Sequence, residues 1–352
     1  MCLNVAQFLT GGLFRLEQPT PLKNYMKFLK GILAVAMLAA FAGDAHAVWN
    51  TFVTVTGGTF GNGTNFKGQT VATARMGETE VNFTEWQGVR TYAAANGFDI
   101  GTVGTGNSAT APVENVDWYD VLKWCNAATL QQGTLTPVYS VGTLAITALS
   151  SSGTVATATV PGGHRLSTGN WVTVSGASVA GYNLTRSVTV TSPTAFTYRT
   201  VVSGTAAATT ASAKVWYTTG EVVPTVEAAG TGYRLPTEKE WEWAAWGGLS
   251  SGTYTYSGSN TANTVAWTRE NQPSLNAGAQ PVRTKTANEL SLYDMSGNVF
   301  EWCFDDATPL YGRRVRGGAW VTEAGASRTM NRGYRDPAKA EAGFGFRVSR
   351  NN

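Results

Sequence analysis

The sequence has two histidines, His46 and His164, and three cysteines, Cys2, Cys125 and Cys303. That supply leaves almost no raw material for a histidine-cluster metal centre, a cysteine-rich zinc site or a Ser-His-Asp hydrolase. Charge is also scarce. Only 14% of the 352 residues are Asp, Glu, Lys or Arg, against roughly 25% in ordinary soluble domains. Not one Asp or Glu lies between Asp120 and Glu221. The net charge is +3, with no basic tail or stripe, so nucleic acid is not an expected partner. What is plentiful is glycine, at 40 residues, with abundant Thr, Ser, Ala and Val. Turns and strands should therefore outweigh helices.

Residues 26–47, MKFLKGILAVAMLAAFAGDAHA, have the form of an export signal. Lys27 and Lys30 precede an apolar run from Gly31 to Ala42, and Ala45-His46-Ala47 is a small-x-small cleavage site. The run of 12 residues is shorter than the roughly 20 that span a bilayer as a helix. The expectation is a signal region over 1–47, with translation starting at Met1 or Met26. The product would be exported (periplasmic, cell-surface or secreted), with no stable membrane span after cleavage. Losing Arg15, Lys23, Lys27 and Lys30 against Glu17 and Asp44 lowers the net charge from +3 to +1. Cys125 and Cys303 then remain in an oxidising compartment, where a disulfide between them is one of two open outcomes.

Three zones follow. In the first, 48–138, FVTVTGGTF reads as a strand and turn, and FTEWQGVRTYAAAN as a helix from Phe83. A second helix is expected from Asp117 to Ala128, capped by Asp117, with Trp118, Val121, Leu122 and Cys125 on one face. In the second zone, 139–215, segments such as VTVSG, SVTVTS and AFTYRTV alternate with period two between Gly, Asn and Pro turns. This predicts a small β-rich insert with Trp171, Val172, Val174, Tyr182, Phe196 and Tyr198 filling its core. The third zone, 216–352, opens with GYRLPTEKEWEWAAWGG, where Thr237 and Glu240 have capping-box spacing before a helix from Glu238. Turns and short strands follow.

Three segments of this last zone carry chemistry. In NELSLYDMSGNVFEWCFD, Asp294 and Glu301 flank Gly297-Asn298. Carboxylates at both ends of a glycine-bearing turn suit a hard cation such as calcium, or equally a polar turn that caps its own amides. RVRGGAW (Arg314 to Trp320) and GFGFR (Gly343 to Arg347) set glycines beside aromatics, a pattern of close backbone packing. Between them, VTEAGASRTMNRGYRDPAKAEA offers Arg, Tyr and Asn on a loop, which is material for recognition or for a solvated surface.

PVENVDWYDVLKWCNAAT, GYRLPTEKEWEWAAWGG, LYDMSGNVFEW, RVRGGAW and GFGFRV, in that order, resemble the formylglycine-generating enzyme (sulfatase-modifying factor) family. The resemblance spans about 52–138 and 216–350 and leaves 139–215 outside it. It implies an α+β fold, the loop-rich family variant of the C-type lectin fold, interrupted by a small β-domain. It also implies structural calcium held by Asp294, Glu301 and the carbonyls of Gly297 and Val299.

The catalytic residues of that family do not carry over. Its enzymes oxidise a substrate cysteine with oxygen, using two copper(I)-binding cysteines after the GG-aromatic motif. Those positions here are Thr322 and Ser327, and no cysteine follows Cys303. Hydroxyls do not suit that soft ion, so no copper is expected. A superfamily branch with histidine-held iron finds only His164 in the mature chain. The resemblance therefore implies a non-catalytic exported protein whose C-terminal loop, 320–341, binds a protein or glycan. Its contacts would be Trp320, Glu323, Arg328, Asn331, Arg332, Tyr334 and Arg335. The alternatives are a formylglycine-generating oxidase or other enzyme of the family, and a structural or assembly protein of an envelope or phage particle.

Overall fold

The computed structural model describes residues 51–206, 210–274, 276–308 and 311–352. The export signal read at 26–47, with Met26, Cys2 and His46, lies outside the described residues.

Local chemistry fixes three helices. Phe83–Ala95 begins at Asn82, whose side chain accepts from the Glu85 amide at 2.9 Å while the Glu85 carboxylate accepts from the Asn82 amide at 2.9 Å. This reciprocal cap satisfies two otherwise orphaned amides. Trp118–Gln132 is capped by Asp117 and buries Trp118, Val121, Leu122 and Cys125. It runs past Ala128 and stops where Gly133 adopts a φ of 80°, a conformation that glycine takes without steric cost. Glu238–Ala245 carries the Thr237/Glu240 capping box.

The first two helices pack into a tryptophan-rich core, and Glu238–Ala245 packs into a second cluster through Trp241 and Trp243. Trp86 and Trp124 stack with ring centroids 6.0 Å apart, and Phe346 meets both edge-on at 5.9 and 5.2 Å. Each buried indole finds an acceptor, as such groups must. Trp118 donates to the Cys303 carbonyl at 3.0 Å, Trp302 to Val116 at 3.0 Å and Trp124 to Trp86 at 3.1 Å.

Two small sheets bring distant segments together. In one, Ala74–Gly77 lies between Phe52–Val55 and Ser349–Asn351. In the other, the order is Gly333–Arg335, Arg313–Arg316, Phe300–Asp306, Phe344–Gly345, with the last pair parallel. That second sheet places RVRGGAW and GFGFR on either side of the strand that follows DMSGNV.

The strands from Tyr139 to Trp216, with Thr225–Val226, form a nine-stranded antiparallel sheet. Its ladders bury Val172, Val174, Val188, Phe196 and Tyr198 in a separate apolar cluster with Leu149 and Tyr182. Trp171 is not part of that cluster, contrary to expectation. It packs on the tryptophan-rich core, where its indole donates to the Asn96 carbonyl at 2.8 Å. The architecture is thus mixed α and β, loop-rich and dominated by strands. No helix among the described residues is long and apolar enough to cross a membrane.

Candidate functional site

The loop after RVRGG is anchored by buried charge. Arg316 has no solvent exposure and donates to Glu238 at 3.0 Å, to Glu242 at 2.7 Å and to the Thr329 carbonyl at 2.6 Å. Its guanidinium lies 5.0 Å from the Trp241 ring centroid. Glu238 and Glu242 sit one turn apart on Glu238–Ala245, so one helix face presents both carboxylates. Glu242 also accepts from the backbone and side-chain amides of Asn65, at 2.8 and 2.7 Å. Gly317 and Gly318 follow at φ of 91° and 75°. A Cβ on Gly318 would lie 2.4 Å from Ser327 Oγ, so only glycine lets the loop close.

The predicted contact residues divide into two groups. Arg332 keeps surface exposure but is tied down: its Nε donates to Glu238 at 2.7 Å, Nη2 to the other oxygen, and its guanidinium stands 5.3 Å from the Phe66 ring centroid. Burial raises the Glu238 carboxyl, but the Arg332 hydrogen bonds and the Arg316 charge outweigh it and hold Glu238 below the usual range. Trp320 is half-buried. Its indole donates to Glu114 at 3.0 Å, and Glu114 also accepts the Gly343 amide at 2.6 Å. Arg332 and Trp320 therefore position the loop.

Arg328, Tyr334 and Arg335 are exposed, Tyr334 to 42%. Arg335 stacks 5.0 Å from the Phe344 centroid and lies 3.4 Å from Glu341. Glu323 pairs on the surface with Arg269 at 2.6 Å, and Asn331 donates its amide to the Gly325 carbonyl.

Thr322 and Ser327 have structural surroundings. The Thr322 hydroxyl accepts from the Ala319 amide at 3.1 Å and donates to the Ala319 carbonyl at 2.9 Å, closing a turn. Ser327 is buried, and its hydroxyl has no hydrogen-bond partner. Cys125 and Cys303 are free and buried, so the disulfide left open by the sequence is not formed. Burial pushes both thiols above their ordinary range, away from the thiolate that reacts or binds metal.

The DMSGNV turn is built from left-handed residues, Asp294 at φ 57°, Gly297 at 77° and Asn298 at 64°. Glu301, expected as a calcium ligand, has other partners. Arg347 donates to its two oxygens, each at 2.6 Å, and the Trp241 indole donates at 2.7 Å. A fully buried guanidinium already neutralises that carboxylate. Asp294 differs: Oδ2 accepts the Arg283 amide at 2.9 Å, while Oδ1 is buried without a partner. Burial, partly offset by the Arg283 amide, lifts Asp294 to about 6. Glu80, which the sequence did not single out, accepts from Asn298 at 2.8 Å and from the Val299 amide at 3.0 Å. Burial and then repulsion from Asp294 and Glu301 raise it well above the ordinary carboxylate range. Among the described residues, no group of three or more His, Cys, Asp or Glu side chains could hold a metal ion.

The missed residues, Glu80, Glu114, Glu238 and Glu242, share a cause. Each is an acid whose cation or amide partner only the fold supplies. The one available signal was the i, i+4 spacing of Glu238 and Glu242 around Trp241.

The chain is similar to several known proteins. The chain is 38% identical over 145 residues to chaperone protein LppX of Paenibacillus barcinonensis, covering 36% of this chain and 52% of that protein. It is 35% identical over 135 residues to inactive C-alpha-formylglycine-generating enzyme 2 of Bos taurus, covering 34% of this chain and 45% of that protein. The matched region thus spans about half the length of these curated relatives. Among solved structures, Treponema denticola variable protein 1 shares the fold, with a TM-score of 0.53 and 22% identity over 86% of this chain and 95% of that one. The sulfatase-modifying factor enzyme 1-like domain pattern matches residues 39–352, and the chain belongs to that family.

Proposed function

We propose that this protein is an exported, non-catalytic member of its family that binds a partner through the loop 320–341. The observation that carries the reading is the replacement of soft ligands by hydroxyls at Thr322 and Ser327. Thr322 is committed to a turn and Ser327 is buried, while the two remaining mature thiols are sealed in the core. Retaining a fold without its chemistry leaves its exposed loop free for recognition. The contacts assigned are Arg328, Tyr334 and Arg335, with Glu323 and Asn331 at their margin and Trp320 and Arg332 as anchors. Likeness to a chaperone favours a protein over a glycan partner.

The same reading includes structural calcium, with a reduced ligand set. Asp294 Oδ1 is an orphaned buried oxygen. The carboxyl groups of Glu80, Asp294 and Glu301 all act on a single guanidinium, Arg347, and their mutual repulsion is what a hard cation would relieve. Asp294 and the carbonyls of Gly297 and Val299 would hold it, and its role would be to cross-link the turn.

The test joins two measurements. Profiles against glycan and extracellular-protein arrays are compared for the wild type and for Arg328→Ala/Tyr334→Ala/Arg335→Ala. The proposal expects a partner whose binding falls at least tenfold in the triple variant. Unchanged binding by that variant would contradict the placement. Aldehyde formation on a cysteine-containing sulfatase peptide, with copper(I) and oxygen supplied, would instead favour the oxidase alternative.

A further inference from the structure

Compact regions of one chain move relative to each other by default, unless their interface is large and apolar. The strand segment 139–216 is joined to the rest of the fold differently. The chain enters it within Tyr139–Ala145 and leaves it within Ser212–Trp216, and these two strands are paired with each other. The Tyr217 amide extends the pairing to the Tyr139 carbonyl at 2.9 Å.

Asn126, fully buried on Trp118–Gln132, grips this root. Its Nδ2 donates to the Tyr139 carbonyl at 2.7 Å and to the Tyr217 carbonyl at 3.1 Å. Its Oδ1 accepts the Val138 and Tyr139 amides at 3.3 and 3.2 Å. One side chain thus spends both donors and both acceptor sites on the entering and leaving backbone.

A single root would still allow rotation about its own axis. A second attachment, set to one side, is the turn from Asn96 to Asp99. The Asn96 carbonyl accepts the Trp171 indole at 2.8 Å. Gly97 lies at φ 76°, and a Cβ there would stand 2.4 Å from the Gly169 carbonyl oxygen, so the two backbones touch only because the residue is glycine. The Asp99 amide donates to the Thr218 carbonyl at 3.0 Å, and its carboxylate accepts the Gly220 amide at 3.1 Å and the Lys123 ammonium at 2.8 Å. Asn170 donates to the Thr218 hydroxyl at 3.0 Å and closes the ring. The turn therefore holds both the start of Trp171–Ser175 and the returning chain.

We infer that the segment 139–216 is a rigid strut, locked at one angle to the rest of the fold by the Asn126 root and the Asn96–Asp99 latch. Bending at the root would strip Asn126 of its partners and leave a buried amide unsatisfied, which costs more than the bonds themselves contribute. Twisting about the root would part Gly97 from Gly169 and Trp171 from Asn96. A partner that touches the strut meets it in one fixed orientation, whether or not the loop 320–341 binds anything.

Spin labels on Thr91→Cys and Thr189→Cys, two exposed positions on either side of the seam, test this in the full chain with Cys2→Ser. Cys125 and Cys303 are buried and stay unlabelled. The expected result by double electron–electron resonance is a single distance distribution, no wider than that of a control pair at Thr91→Cys and Lys239→Cys. Gly97→Val should at least double its width. Gly63→Val, at φ 82° with no atom within 4 Å of its Cβ position, bears the same backbone cost and should leave the width unchanged. A second measurement needs no variant of the seam: the Trp171 indole N–H should exchange with solvent as slowly as the Tyr217 amide. A broad or two-peaked distribution in the parent, no broadening by Gly97→Val, or fast exchange of the Trp171 indole would overturn the inference in favour of a hinged module.

Discussion

Between Tyr139 and Trp216 the chain is held by alternation. Val172, Val174, Phe196 and Tyr198 point inward at every second residue, and the segment itself contains no acid. From Glu238 to Arg347 regular structure is sparse, and buried ion pairs hold the loops in place. Arg316 bridges Glu238, Glu242 and Thr329, and Arg347 clamps Glu301. A ladder satisfies its own backbone, so its interior can be purely apolar. A loop must find partners for its polar groups elsewhere, and here carboxylates and guanidiniums from distant segments supply them. The contrast shows how a fold with few helices can keep a fixed loop surface.

The sharpest way to break the comparison is Arg347→Leu. It leaves Glu301 buried without its cation, which should cost about 3–5 kcal/mol, read as a fall in the urea midpoint. Leu149→Ala in the all-β core should cost about 2–5 kcal/mol through the cavity it opens. Unlike Arg347→Leu, its cost should be indifferent to salt and pH. Calcium should stabilise only the loop-rich region. At one hundred times its dissociation constant it would add about 2.7 kcal/mol, measured as a rise in Tm that Asp294→Asn removes.

A pH series sharpens the contrast further. Burial raises Glu240, but hydrogen bonds and charge from Arg234, in a two-point pair at 2.7 Å each, outweigh it and hold the carboxyl below its ordinary value. A depressed carboxyl contributes stability that is complete above its unfolded pKa, about 4.3, and is lost as pH falls through the folded value. Glu240→Gln should therefore cost on the order of 1–3 kcal/mol at neutral pH and flatten the acid limb. Tyr334→Ala, at the exposed end of the scale, should change stability by less than about 0.5 kcal/mol.

Much of the frame was legible in the sequence. Asp117 and Thr237 announced their helices because capping is local, and period two exposed the strands at 171–175 and 195–199. The ionic core was not legible. Arg316 and its partners Glu238 and Glu242 lie 78 and 74 residues apart, and nothing local separates a buried acid from a solvated one. For the same reason the ion pairs of Arg332 with Glu238 and of Glu301 with Arg347 could not be read from the sequence. Trp171 fits the strand alternation and yet serves the neighbouring core, a choice made by packing.

The central claim is that a thiol-dependent fold persists here without its chemistry. Mass spectrometry of a cysteine-containing sulfatase peptide, incubated with the purified protein, copper(I) and oxygen, tests it most directly. The account predicts a peptide of unchanged mass. Conversion of its cysteine to the aldehyde, absent from a protein-free control, would contradict it.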